Sequence, residues 1–346
     1  MGTLAALEKL VPVVLVFGCG ALFARRGVID AASSKPFADF AFLFAVPCYL
    51  FGNIYRSDLG ALFDWRALGG YVLAALGCMV LVASVAWRSG IHDPRRIALR
   101  IMAGVQVNTA YFAVPVFVML FGTAAPIFPV LLLQVCVLTL VVLAVMEAGA
   151  PDIPQGASVP AVRMPAPPDL AAGTVLGSEG TAASRAGVGS RVARGIRGSL
   201  STPLLVACNT GLLLNLLHVP LPRPALDAFA FVGDAASPVA LFALGLHVGG
   251  AGSSLRRTAR EEIWLVAVKC LVFPLAVWLV VRHVLGVDPL WRQYLVLIAA
   301  MPAPQNLFVF AQRYDVGVDL SAALVTKSSV TALVLLPVWI HWTGVT

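Results

Sequence analysis

The sequence predicts an all-α integral membrane protein. Ten transmembrane helices form a 5+5 inverted repeat, with the fourth and ninth helices broken where they cross. Three features carry this reading. Of the 346 residues, 60% are apolar and only 12% are charged, whereas soluble domains run near 45–50% apolar and about 25% charged. The apolar residues fall in continuous runs long enough to cross a bilayer, about 20 residues each. A Pro-, Gly-, Ala- and Ser-rich segment divides these runs five and five.

The runs lie at 7–25, 36–56, 66–87, 97–121, 124–147, 200–218, 225–249, 262–284, 291–312 and 320–342. They are continuous rather than alternating, which excludes the strands of a transmembrane barrel. The first run reaches Arg25-Arg26 without a small-residue cleavage site, so it reads as a first span rather than a signal peptide. Cys19, Cys48, Cys78, Cys136, Cys208 and Cys270 all sit inside apolar runs, and none forms a CxxC pair. They read as small buried hydrophobes rather than disulfides or metal ligands.

Basic residues orient the chain. With both termini outside, the inner loops hold 16 Lys and Arg, from Arg25 to Arg313, and the outer segments hold 6. The positive-inside rule favours that arrangement. The net charge of +7 is therefore topological, and nucleic acid is not an expected partner. The expected setting is a bacterial inner membrane, with segment 148–199 as a mobile cytoplasmic linker whose composition cannot bury a core.

Five spans per half force the second half to run inverted. Internal similarity agrees. The second run carries Pro47, Leu50 and Phe51, and the seventh carries Pro238, Leu241 and Phe242 at the same spacing. The fourth and ninth runs each join interior proline to asparagine: Asn108 with Pro115, and Pro302 and Pro304 with Asn306. Broken helices at corresponding positions of inverted halves point to a transporter's binding site. A proline inside a helix frees a backbone carbonyl, and open backbone at membrane depth is tolerated only against protein or water. Helix N-termini exposed there favour an anion. Asn108, Gln305 and Asn306 add donors without burying a charge. The pocket suits a small organic anion, while kinks and interhelical hydrogen bonding remain the plainer reading of the same residues.

Charges inside spans are costly and usually functional. Asp234, in the seventh run, reads as a proton acceptor, a partner for a cation or an end cap. Lys269, early in the eighth, either snorkels to the interface or balances an anion. Lys327, deep in the tenth beside Thr326, Ser328 and Ser329, faces the pocket or pairs with an acid. Gln134, among Leu and Val in the fifth, needs a hydrogen-bond partner, either substrate or another helix. Asp39 and Glu147 lie near the inner face, where interface pairing is expected. Asn209 and Asn215 read as interhelical contacts. There is no phosphate-binding loop, GxSxG or HExxH, and the five histidines show no metal-ligand spacing. Neither an enzyme nor a cofactor is expected.

Several motifs resemble the auxin efflux carrier family, which includes bacterial carriers of small dicarboxylates. Asn108-Thr109, Pro115 and Gly122 resemble its fourth-span N-T-x5-P-x6-G pattern. Phe44-Ala45-Val46-Pro47 is similar to its second span, and Asp234-Ala235 with Leu241–Leu246 to its seventh. Lys269 ahead of Pro274, Gln134 with Glu147, and Pro302 with Phe308–Ala311 and Tyr314 are similar to its eighth, fifth and ninth. The resemblance implies scaffold helices in 1–60 and 200–252, often at a homodimer interface. It implies transport-domain helices in 61–147 and 253–346, and elevator-type movement of an organic anion. By position it makes Asn108 and Gln134 substrate ligands, with Pro115 and Pro302 shaping the crossover. Pro304-Gln305-Asn306 and Lys327 depart from the plant pattern. They point to a malonate-like dicarboxylate whose second charge Lys327 balances. The alternatives are a sodium-coupled bile-acid-type symporter and a membrane metabolite sensor that moves nothing.

Overall fold

The computed structural model describes residues 8, 10–58, 60, 63–148, 203–251 and 259–344. The predicted linker lies almost wholly outside these residues, and the side chains of Cys136 and Glu147 lie outside them too. The described residues are helical and contain no strand, as a chain of continuous apolar runs requires.

Helical segments overlap all ten apolar runs. In chain order they are α1 (Val11–Arg26), α2 (Ala31–Arg56), α3 (Trp65–Arg88), α4 (Pro94–Val105), α5 (Val114–Phe121), α6 (Ile127–Leu133) and α7 (Thr139–Ala148). They continue with α8 (Pro203–Leu216), α9 (Arg223–Asp234), α10 (Ala236–Gly250), α11 (Arg260–Val284), α12 (Pro289–Ala300), α13 (Asn306–Arg313) and α14 (Val318–Thr343). Among the described residues, five continuous helices are long and apolar enough to cross a membrane by themselves: α2, α3, α9 with α10, α11 and α14.

Local chemistry sets the helix ends. Asp64 caps α3, accepting from the N–H groups of Arg66 and Ala67, which satisfies two donors that an α-helix start leaves open. Asp93 and Asp288 cap α4 and α12, each followed at once by a proline. Proline suits that first position because its missing N–H would have had no helical partner there. Both capped helices are 12 residues long. Both end in extended backbone, at Gln106 (ψ 156°) and Met301 (ψ 155°). The helices beyond the two breaks, α5 and α13, have 8 residues each. Asp93-Pro94 and Asp288-Pro289 are thus a further pair of matching signals between the halves.

Small residues let some helices approach closely, the usual basis of helix association in lipid. A Cβ built on Gly245 would lie 2.1 Å from the Phe17 carbonyl oxygen, and one on Gly249 2.5 Å from that of Ala21. So α10 lies directly along α1. Gly211 of α8 faces the Phe51 carbonyl of α2, and Gly233 of α9 faces the Tyr49 backbone. Asn215 ties α8 to the end of α2 by donating to the carbonyls of Ile54, Tyr55 and Ser57 at 3.1, 2.8 and 2.7 Å, the interhelical role expected of it. Near the predicted inner face, Lys35 and Asp39 pair one turn apart on α2.

Ion pairs join other helices. Arg100 of α4 pairs with Glu261, and Lys327 of α14 pairs with Glu262, both acids in the first turn of α11. In that first turn, carboxylates also complement the helix dipole.

Candidate functional site

The chain is open at two places in its apolar interior, 106–108 and 301–305, and the openings touch. The Asn108 N–H donates to the Pro302 carbonyl oxygen at 2.9 Å. The break in the fourth run begins at Gln106, nine residues before Pro115. Pro115 lies in the first turn of α5, where it completes no break. This corrects the expectation that Pro115 itself interrupts the helix. In the ninth run the prolines do occupy the break: Pro302 and Pro304 are both buried and flank Ala303.

Side chains from three other helices take up the freed backbone groups. Gln134 closes both groups of Val107: its Oε1 accepts from the Val107 N–H at 2.8 Å and its Nε2 donates to the Val107 carbonyl at 2.9 Å. It does so from the first position of a wide π turn, Gln134–Leu138. Such turns are common at functional sites. The Ser328 hydroxyl of α14 accepts from the Ala303 N–H at 3.0 Å, and plays the same part for the second break. Lys269 lies on another π turn, Val268–Val272 of α11. It is only 1% exposed and donates to the Ala299 carbonyl at 3.0 Å, with the Phe273 ring 4.8 Å away. An ammonium at the carboxyl end of α12 meets the negative end of that helix's dipole. Lys269 thus ends beside the second break rather than at the interface.

Asn108 is 3% exposed. Its Oδ1 accepts from the Tyr111 N–H at 3.1 Å and caps the turn that leads into α5. That leaves its Nδ2 buried without a hydrogen-bond partner. Gln106 is 1% exposed; its Nε2 donates to the Thr139 hydroxyl at 3.2 Å, and its Oε1 has no partner. A buried polar group left open costs about 1–3 kcal/mol, and two such atoms lie at this break. Composition gave no sign of Gln106, and Ser328 stood out only as a neighbour of Lys327; their position against the breaks singles them out.

The other expected site residues separate from this centre. Gln305 is half-buried and Asn306 exposed. Lys327 is engaged by Glu262. Asp234 is exposed and closes α9, where it lines a groove of about 390 Å³ with Arg56, Asn53 and Thr123. The Thr123 hydroxyl donates to Asn53 Oδ1 at 3.1 Å.

A family model described as "Membrane transport protein" matches residues 5–340. The chain belongs to this family, the auxin efflux carriers. It is an integral membrane transporter and not an enzyme. Among known proteins, the transporter is 29% identical over 140 residues to a Rhizobium meliloti protein named "Putative malonate transporter". That stretch covers 39% of this chain and 43% of the relative, so the chain spans less than half of that relative's length in the match. It is 22% identical over 345 residues to an "Uncharacterized transporter" of Methanothermobacter thermautotrophicus, covering 97% of this chain and 98% of the relative.

Proposed function

We propose that the protein is a secondary transporter of small carboxylates, malonate-like dicarboxylates among them. The carboxylate binds where the two breaks meet, in a ten-span inverted repeat with crossovers in its fourth and ninth spans. The observation that carries this reading is the Asn108 amide. Its Nδ2 donor is buried and open at the start of a helical turn, where backbone N–H groups and the dipole also favour an anion. Lys269 supplies a basic group nearby, its Nζ bound to the end of α12. Gln134, Ser328, Pro302 and Pro304 keep the two breaks open and rigid. The Rhizobium relative's name agrees with a dicarboxylate. The matched α4 and α12, equal in length, cap and ending, support the inverted repeat.

The close packing of α1 on α10, and of α8 and α9 on α2, supports a scaffold built from the first, second, sixth and seventh spans. The ion pairs joining α4, α11 and α14 support a second body that carries the site in an elevator-type movement. Lys327, already neutralised by Glu262, serves that body's packing.

The test is flux. Protein reconstituted in liposomes should take up labelled malonate and lose that uptake with Asn108→Ala, while Lys327→Met with Glu262→Leu leaves it in place. Binding of malonate without flux would instead favour a sensor, and uptake that requires sodium would favour the symporter.

A further inference from the structure

We propose that Gln106 and Asn108 together read a protonated carboxyl group, so that a dicarboxylate enters this site as its monoanion, carrying its own proton. The inference rests on the reading that the carboxylate binds where the breaks meet.

The hydrogen-bond network fixes which atom of each amide is open. The Thr139 hydroxyl donates its single proton to the Gln134 carbonyl at 2.8 Å, so toward Gln106 it can only accept. The Gln106 amide must therefore turn its Nε2 to Thr139, leaving Oε1, an acceptor, without a partner. Asn108 is fixed in the opposite sense. The Tyr111 N–H needs an acceptor, which takes Oδ1 and leaves Nδ2, a donor, without a partner.

The two residues stand either side of Val107 on non-helical backbone, with Gln106 itself extended. One buried open acceptor and one buried open donor thus belong to the same short segment.

A carboxylate presents acceptors only, and would satisfy Asn108 while setting its charge against the Gln106 oxygen. A carboxylic acid presents a hydroxyl donor and a carbonyl acceptor, and satisfies both. The second carboxylate of the same molecule keeps the negative charge that Lys269 and the helix start favour. Bringing one charge rather than two into an apolar interior also lowers the desolvation cost.

The test uses malonate, its half-amide and its half-methyl-ester as competitors of labelled malonate uptake by the unaltered protein. The half-amide keeps both a donor and an acceptor whatever the pH; the half-ester lacks the donor. The half-amide should compete within about tenfold of malonate. The half-ester should be at least tenfold weaker than the half-amide, because the buried Gln106 oxygen would stay open. Expressed against total malonate, the apparent Kd in a thermal-shift titration should rise about tenfold per pH unit above malonate's second ionisation. Gln106→Met, checked for folding by its unliganded Tm, should erase the difference between half-amide and half-ester. Equal competition by the two derivatives in the unaltered protein, or tighter malonate binding as pH rises, would overturn the inference and leave carboxylate transport standing. Failure of malonate and both derivatives to bind at all would remove the underlying reading as well.

Discussion

Gln134 satisfies the two backbone groups of Val107 at once, accepting from its N–H at 2.8 Å and donating to its carbonyl at 2.9 Å. A primary amide is the side chain that can do both in one plane. An open peptide in an apolar interior is thereby given the partners that a β-strand neighbour would supply.

Replacing Gln134 removes those partners. Gln134→Leu leaves both Val107 groups open, at about 1–3 kcal/mol each. Gln134→Glu keeps an acceptor for the N–H, but as a carboxylate it sets a buried charge against the Val107 carbonyl. Thermal unfolding in detergent at neutral pH should place the native protein above both variants. A Leu variant as stable as the native protein would show that Val107 finds other partners.

Asn108 has two separable tasks. Asn108→Asp keeps the oxygen that caps the turn and removes the Nδ2 donor. Its Tm should fall at neutral pH, because the variant buries a carboxylate without a counter-charge, and malonate should no longer raise it. Asn108→Ala loses the cap too and should cost about 1 kcal/mol in stability. A malonate-dependent rise in Tm that survives in the Asp variant would take Asn108 out of the site.

The Lys327–Glu262 pair is mostly buried, with side-chain exposures of 12% and 14%. Removing one partner takes the opposite charge away from a mostly buried group, which costs up to about 3–5 kcal/mol, whereas replacing both with apolar groups is often neutral. Lys327→Met and Glu262→Leu should each lower Tm strongly, and together should restore most of the loss. Additive losses would mean that the two residues act independently.

Gly245 and Gly77 should respond oppositely to alanine. At Gly245 the new Cβ would sit 2.1 Å from the Phe17 carbonyl oxygen, so α1 and α10 must separate, at about 1–3 kcal/mol. At Gly77, in the middle of α3, a Cβ meets nothing within 4 Å, and Gly77→Ala should stabilise by about 0.5–1 kcal/mol. The signs of the two changes in Tm check how closely α1 and α10 pack.

Much of the candidate site was legible, but unevenly. Pro302 and Pro304 mark the second break directly, because two prolines in three residues strip the backbone of donors. Pro115 marks the first only indirectly: it lies in the first turn of α5, and the break precedes it at Gln106, where no residue type disfavours helix. From its early place in the run, Lys269 reads as either snorkelling to an interface or balancing an anion. Burial by α12 and Phe273, which no local pattern encodes, puts it beside the second break. The matched Asp-Pro pairs at 93–94 and 288–289 were the signal in the sequence that would have set both half-helices in register.

By itself the sequence determined the membrane class, the extent of the apolar runs and which residues carry polar groups into them. These follow from hydropathy and local backbone chemistry, which act over a turn or two of helix. The tertiary structure decided which group completes which. Gln134 reaches Val107 across 27 positions, Lys269 reaches Ala299 across 30 and Lys327 reaches Glu262 across 65. Such pairings depend on how helices lie against one another, and that is set by the summed packing of many side chains rather than by any short stretch of chain.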